Sequence, residues 1–253
     1  MITVLDVETT FVVAENKRSD PSPFCPENKL VSVQYSQNYK KPEILWFYHA
    51  GADFEVDKNS QKLQKILDET TLLVGHNIKF DLMWLHETGF SYENKVYDTM
   101  IGEYMLLRGQ KWGISLADCC ERRNITLKKS QLVDDYIKQG KGFDVIPMNI
   151  VEEYGLGDII STSELYIEQQ RLLKKSNYFD LNKHITLMNE FLLVLANIER
   201  NGIKINFDTL HKVREDYEKE KAELEQNLRD VAQDVMGDTP INFASPEQMG
   251  QLI

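Results

Sequence analysis

Cysteine is scarce in this sequence, and its spacing excludes the chemistry that cysteine pairs usually support. The three cysteines are Cys25, Cys119 and Cys120, and none of them forms a CxxC pair. Adjacent cysteines rarely bridge each other, so a disulfide framework is not expected. The composition therefore predicts a protein of a reducing compartment.

Long apolar runs are also missing. No stretch approaches the ~20 apolar residues that a membrane helix needs. The N-terminal sequence MITVLDVETT lacks the basic region and following apolar run of a signal peptide. With 42% hydrophobic and 27% charged residues, the chain is typical of soluble globular proteins. We expect a cytoplasmic protein, in the host cytoplasm if it is viral, and no membrane partner.

Basic residues are outnumbered by acidic ones. Lys and Arg total 29 and Asp and Glu total 40, which gives a net charge of −11. This balance weighs against tight, non-specific binding to duplex nucleic acid. It leaves open a nuclease, because bound metal ions reverse the local field of clustered carboxylates.

The first part of the chain predicts a mixed α/β domain. The β-branched run at 2–7 predicts a buried strand, and runs at 30–35 and 44–48 would complete an antiparallel meander with it. The proline-containing segment 14–29 predicts a loop. Further elements are helices over 61–67, 80–86 and 99–107 and short strands over 72–74 and 96–97.

The second part is predicted to be helical. Long helices are expected over 150–173, 185–200 and 208–235, and Asn201-Gly202 supplies a stop signal for the middle one. The last helix carries a narrow apolar stripe with charged flanks, which favours a projecting or paired helix. The sequence therefore predicts two domains, residues 1–180 and 181–253, and a partner for the stripe.

Two carboxylates end the first predicted strand. Asp6 and Glu8 are two residues apart, so a strand points both side chains to one face. Like charges placed together beside an apolar core are unfavourable unless a cation lies between them. The alternative is a solvated strand end, because the D-x-E pattern alone is common.

Two further acidic segments follow. Asp81 lies where a strand gives way to a helix, a position from which it could also cap that helix. Tyr154 and Asp158 are four residues apart in a predicted helix and therefore share a face. The alternative for this pair is a core tyrosine beside a surface aspartate.

Together, D-x-E, N-x-x-F-D and Y-x-x-x-D resemble the three motifs of the DEDD exonuclease superfamily, which has a ribonuclease-H-like fold. They occur in that order, roughly 75 residues apart, in strand, loop-to-helix and helix contexts. Tyr154 is typical of the DEDDy branch, since the sister branch has a histidine at the position of Glu153. The segment at 97–100 resembles a structural part of the family, so Asp98 is expected to be a hydrogen-bond acceptor.

The resemblance covers roughly residues 1–175 and continues beyond. Segments 192–205 and 242–249 are similar to the region after the exonuclease domain and to the start of the thumb in bacterial or viral family A DNA polymerases. The later polymerase motifs are absent from this sequence. The resemblance therefore implies a fragment, or one piece of a split polymerase, without nucleotide incorporation.

The resemblance also implies a two-metal-ion phosphodiester hydrolase that uses Mg²⁺ or Mn²⁺. Asp6 would bridge the ions, Glu8 and Asp158 would complete one site, and Asp81 would hold the second. Tyr154 would orient the attacking water, because an unperturbed tyrosine pKa is about 10. The expected substrate contacts are Thr9, Thr10, Asn77 and Lys79. Further basic residues that could neutralise phosphate are Arg108, Lys111, Lys128 and Lys129. His76 is expected to satisfy local backbone groups.

Three functions remain open at this point. The first is a proofreading 3′→5′ exonuclease that acts on single-stranded DNA ends, with a polymerase portion on the same gene or on a separate chain. The second is a ribonuclease-D-like RNA exonuclease. The third is a non-catalytic scaffold of a replication complex that has kept the fold.

Overall fold

The computed structural model describes residues 1–13, 19–125, 131–175, 179–237 and 242–252. Contacts within the chain divide it into two compact units, Met1–Asn201 and Gly202–Ile253. Lys128 and Lys129, which the sequence offers as phosphate contacts, lie outside the described residues.

The first unit is built on a mixed sheet. Its strands are β1 (Ile2–Thr9), β4 (Leu30–Gln37), β5 (Glu43–Trp46), β6 (Leu72–Gly75) and β7 (Lys95–Asp98), and a separate pair consists of β2 (Val12–Val13) and β3 (Ser19–Asp20). The order across the sheet is β5-β4-β1-β6-β7. The strands β5, β4 and β1 are antiparallel, whereas β1, β6 and β7 are parallel. The predicted meander and mixed sheet are confirmed.

Helices lie on both faces of this sheet. The first unit contains α1 (Val56–Glu69), α2 (Ile78–Glu87), α3 (Thr99–Leu106), α4 (Leu116–Arg123), α5 (Gln131–Lys138), α6 (Met148–Leu173) and α7 (Phe179–Asn201). The second unit contains α8 (Phe207–Met236) and α9 (Pro246–Leu252). The predicted flanking helices and the helical C-terminal part are confirmed. Strand β3 lies inside the segment predicted to be a loop.

Alternation along β1 sends neighbouring side chains into two different cores. Leu5 and Val7 join the core that α1 and α2 cover. Val4 joins the opposite core, where it meets Ile159 and Tyr166 of α6. Because both faces are covered, β1 carries apolar side chains on each of them, and its polar residues are Thr3, Asp6, Glu8 and Thr9.

The helix α7 covers the edge of the sheet at β7. The Asn189 side-chain oxygen accepts a hydrogen bond from the backbone N–H of Asp98 at 2.8 Å. Ion pairs also join α7 to α2 through Lys79 with Glu199 and Glu87 with Arg200. The compact unit therefore ends after Asn201, whereas the sequence-based division falls after residue 180, so α7 is not short of partners. The functional assignment of the two domains stays a prediction.

The apolar stripe of α8 is exposed. Its exposed members among the described residues are Leu210, Val213, Tyr217, Leu224, Leu228 and Val231. A partner that covers this stripe stays a prediction. None of the helices in the described part of the chain is long and apolar enough to cross a membrane.

Candidate active site

The register between β1 and β4 fixes where the D-x-E pair lies. Asp6 is opposite Gln34, and Glu8 is opposite Ser32. Residues directly opposite each other in an antiparallel pair point to the same face. These four side chains therefore share the face that carries Val4, which is the face under α6. Glu8 is buried and Asp6 is partly buried.

Asp81 is tied to β1 by a hydrogen bond. Its Oδ1 accepts the backbone N–H of Val7 at 2.9 Å. The parallel pairing of β1 with β6 ends at Val4, so this N–H lies beyond the pairing and needs another acceptor. The capping role considered from sequence is wrong, because α2 begins at Ile78 with Asn77 as the N-cap residue.

The helix α6 brings Tyr154 and Asp158 over the same face of the sheet. The tyrosine hydroxyl is near enough to the Asp158 carboxylate to lower the pKa of that carboxyl group. Gly155 lies so close to Gln34 that an added Cβ would be 2.6 Å from Nε2 of that glutamine. The close approach of α6 to β4 therefore requires glycine at this position.

Burial and mutual repulsion disfavour the charged form of the carboxylates. Burial, followed by the charge of Asp158, raises the pKa of Asp6 to about 8. The pKa of Glu8 is raised well above its usual value by burial and then by Asp6, Asp158 and Asp81. Burial and then Asp6 also raise the pKa of Asp81. Each carboxylate interacts through its charge with at least one of the others, so the structure brings all four into one site.

Tyr154 keeps its proton at neutral pH. Its pKa is raised by burial first and then by the charges of Glu8, Asp158 and Asp6. Burial also raises the pKa of Asp158 to about 6, although the hydrogen bond from Tyr154 opposes that rise. The tyrosine hydroxyl is therefore a donor in this site and not a base.

The donor set suits hard divalent cations, which bind carboxylate oxygens. Four carboxylates that repel one another gain most from such ions, since the ions remove the repulsion. The chemistry of the donors therefore fits a divalent cation. However, the described residues contain no group of three or more His, Cys, Asp or Glu side chains whose arrangement could hold a metal ion.

A family comparison agrees with this arrangement. The model of a family described as 3′-5′ exonuclease matches residues 25–174, which is more than half of the chain. The chain belongs to the 3′-5′ exonuclease family. The matched segment contains Asp81, Tyr154 and Asp158, whereas Asp6 and Glu8 precede it on β1.

Two curated relatives of this chain are DNA polymerases. It is 25% identical over 185 residues to the DNA polymerase I of Borreliella burgdorferi, a match that covers 72% of this chain and 20% of that protein. It is 27% identical over 187 residues to the DNA polymerase of Bacillus phage SP01, covering 68% of this chain and 19% of the relative. The chain thus spans about a fifth of the length of these relatives.

Solved structures show the same fold. The structure of Brucella melitensis NrnC with bound Mg²⁺ superposes with a TM-score of 0.55 and 17% identity, over 79% of this chain and 86% of that one. The predicted ribonuclease-H-like fold is confirmed by this likeness. At this identity the likeness concerns the fold alone.

The substrate residues predicted from sequence lie in varied surroundings. Thr9 and Thr10 are buried at the end of β1, and the Thr10 hydroxyl accepts the backbone N–H of Lys29 at 2.7 Å. Asn77 is exposed and has a left-handed backbone with φ of 64°. Lys79 is paired with Glu199 of α7. Their contacts with a substrate stay predictions, as do those of the exposed Lys111 and Arg108.

His76 and Asp98 have structural roles at the edge of the site. The ring nitrogens of His76 lie 2.9 Å from the Thr99 hydroxyl and 3.0 Å from the Ile114 carbonyl. Asp98 accepts the backbone N–H groups of Asn77 and Met100 at 2.9 and 2.8 Å. Both residues fix the loop that leads into α2.

Sequence reasoning missed Gln34. Its side chain is fully buried and donates from Nε2 to the Ser32 hydroxyl at 2.8 Å, while its Oε1 has no hydrogen-bond partner in the described chain. It lies opposite Asp6 and beneath Gly155. Only the register of β4, which depends on long-range pairing, would have identified it.

Proposed function

We propose that this chain is a two-metal-ion 3′→5′ exonuclease that removes nucleoside 5′-monophosphates from DNA 3′ ends. The observation that carries this proposal is the meeting of four mutually repelling carboxylates and a protonated tyrosine under α6. Buried carboxylates that repel one another destabilise a fold unless cations neutralise them. Such a cluster is therefore a candidate for a site that works with bound cations.

The side chains of Asp6, Glu8, Asp81 and Asp158 would hold two divalent ions, Mg²⁺ or Mn²⁺. When bound, such ions supply an activated water at neutral pH and stabilise the charge on the leaving oxygen. The chain contributes the positions of its own groups. Asp81 accepts the N–H of Val7, and that bond keeps α2 and β1 together at the site.

Tyr154 acts as the hydrogen-bond donor in this proposal. Because its pKa is raised by burial and by the surrounding carboxylates, the hydroxyl holds its proton throughout the neutral range. The Asp158 carboxylate is the acceptor beside this hydroxyl. With substrate present, the same hydroxyl orients the attacking water and does not remove its proton.

We infer DNA as the substrate and proofreading as the role because two curated relatives are DNA polymerases. In this proposal a family A polymerase portion, on the same gene product or a separate chain, supplies nucleotide incorporation. The apolar stripe of α8 is the surface that such a portion would cover. The three cysteines are free thiols, which supports the cytoplasm as the place of action.

The test uses single-stranded DNA and RNA of one sequence, each labelled at the 5′ end and incubated with Mn²⁺ and then with EDTA. We expect DNA to be shortened from its 3′ end one nucleotide at a time, with mononucleotide products and no cleavage in EDTA. The Asp6→Ala variant is the control, and its rate should fall roughly 1000-fold or more. Faster cleavage of RNA would favour a ribonuclease, and no cleavage of either strand would favour a scaffold.

A further inference from the structure

An exposed tryptophan stands in the loop between α3 and α4. Trp112 has 57% of its surface in solvent, although tryptophan is usually well buried. The other two tryptophans, Trp46 and Trp84, are packed against cores of the first unit. An exposed indole in a defined position is a surface suited to stacking.

The ring of Trp112 is oriented by an arginine that is itself fixed. The Arg122 guanidinium lies 5.4 Å from the ring centroid. Arg122 donates to Oε1 of the fully buried Glu103 at 2.8 Å and to the Gly113 carbonyl at 2.6 Å. The guanidinium therefore contacts the indole, and more than half of the surface of Trp112 stays open to solvent.

The backbone around Trp112 is also held in place. Ser115 and Asp118 form a capping box at the start of α4. Gly113 approaches Asp118 so closely that an added Cβ would lie 2.2 Å from its Oδ2. A base that stacks on Trp112 would thus lose little of its binding free energy to ordering of this loop.

The loop is attached to the edge of the candidate active site. The Ile114 carbonyl, two residues after Trp112, is 3.0 Å from Nε2 of His76. His76 immediately precedes Asn77, the N-cap of the helix that carries Asp81. The helix that follows the loop, α4, packs against α6, which carries Tyr154 and Asp158. The loop that carries the indole is therefore connected to both helices that carry residues of the site, α2 and α6.

We propose that Trp112 is a stacking platform for one base of a single-stranded DNA substrate. Base stacking tolerates any sequence, because every base has a π face. It also suits a chain with a net charge of −11, which offers few cations for phosphate contacts. Lys111, which precedes Trp112 in the chain, is exposed and would be available to a phosphate of the stacked nucleotide. This inference rests on the proposed function and adds a substrate residue to that site.

The test measures binding without cleavage. A labelled single-stranded DNA of about six nucleotides is titrated in EDTA with the whole chain and followed by fluorescence anisotropy. Trp112→Ala should raise Kd by roughly 5- to 150-fold, whereas Trp112→Phe should keep most of the affinity. Tyr39→Ala is the matched control, because Tyr39 is an aromatic residue of the first unit that is 40% exposed. Its neighbour Asn38 bonds to Ile2 at the start of β1, the end of that strand opposite to Asp6 and Glu8. Melting temperatures of all variants show whether they are folded.

A second measurement locates the stacked base. Replacing one nucleotide at a time by an abasic residue should weaken binding to the wild-type chain at one position above all. Trp112→Ala should be insensitive to the abasic residue at that position, because the lost stack is the same one. Equal sensitivity of the two proteins at every position, with normal wild-type cleavage, refutes the platform alone. A wild-type chain that neither binds nor cleaves DNA refutes the proposed function as well.

Discussion

Replacing Gly155 by alanine tests whether the contact between α6 and β4 sets the geometry of the site. A Cβ at this position would lie 2.6 Å from Nε2 of Gln34 and 2.7 Å from its Cδ and Cγ. Ordinary van der Waals contacts begin at about 3.4 Å, so α6 or Gln34 must move by about 0.8 Å. Gln34 is buried and bonded to Ser32, which leaves the helix as the part that moves.

The expected loss of stability is small, whereas the loss of activity is large. Overpacking costs about 1–3 kcal/mol, and the better helix propensity of alanine returns about 1 kcal/mol. The free energy of unfolding should therefore fall by about 0–2 kcal/mol. Tyr154 and Asp158 move with the helix, and a misplacement near 1 Å can cost about 100-fold in rate. We expect kcat to fall roughly 10- to 100-fold.

The assay is single-turnover cleavage of labelled DNA, together with urea unfolding of the same preparations. Gln34→Ala provides the rescue, because it removes the atoms that the new Cβ meets. The double variant Gly155→Ala/Gln34→Ala should recover most of the activity relative to Gln34→Ala alone. A Gly155→Ala protein with wild-type kcat, or a double variant as slow as Gly155→Ala, refutes the reasoning.

Three further predictions concern charged and polar groups. In EDTA, Asp6→Asn should unfold in urea with a weaker pH dependence than wild type. The pKa of Asp6 is about 8 in the folded wild-type protein and about 3.9 in the unfolded chain. The protonated Asp6 carboxyl therefore favours folding fully below pH 4, and this contribution is lost as the pH rises through 8. Between pH 4 and pH 7 the ionisation of Asp6 should lower the unfolding free energy of the wild type by on the order of 4 kcal/mol, and this loss should be missing in Asp6→Asn. Parallel plots of unfolding free energy against pH for the two proteins would contradict the prediction. Tyr154→Phe should slow cleavage roughly 10- to 1000-fold and leave Mn²⁺ affinity by calorimetry nearly unchanged, whereas Asp158→Ala should lose that affinity. Glu103→Ala should lower the free energy of unfolding by roughly 3 kcal/mol, because it leaves Arg122 without its buried partner; a change below ~1 kcal/mol would contradict this.

Elements with a clear hydrophobic period were predictable from sequence. The strands β1, β4 and β5 and the helix α6 begin and end within a few residues of their predicted bounds. The start of α7 is six residues earlier than predicted, because its first turn is too polar to show a period. By contrast, α4 was missed although Ser115 and Asp118 form a capping box that the sequence displays.

The site was predictable as far as motif order allowed. The resemblance of three segments to the exonuclease motifs predicted that Asp6, Glu8, Asp81 and Asp158 lie together, and the structure brings them into one site. The hydrogen bond from Val7 to Asp81 was not predictable, since it depends on where β6 ends beside β1. Their roles as metal ligands stay predictions.

A chain with net charge −11 can act on its proposed substrate, negatively charged DNA, because many of its relevant carboxylates are buried in the site. Buried carboxylates with a raised pKa carry less negative charge at neutral pH than their number indicates, so the metal-free site repels phosphate less than the formal charge implies. Divalent ions would then turn the same site cationic, which removes the need for a basic surface. Stacking on Trp112, which Arg122 contacts, would likewise reduce the need for basic residues, because it holds a nucleotide through its base and not through its phosphate. A protein with net charge −11 can therefore bind single strands locally while its outer surface disfavours non-specific binding to duplexes.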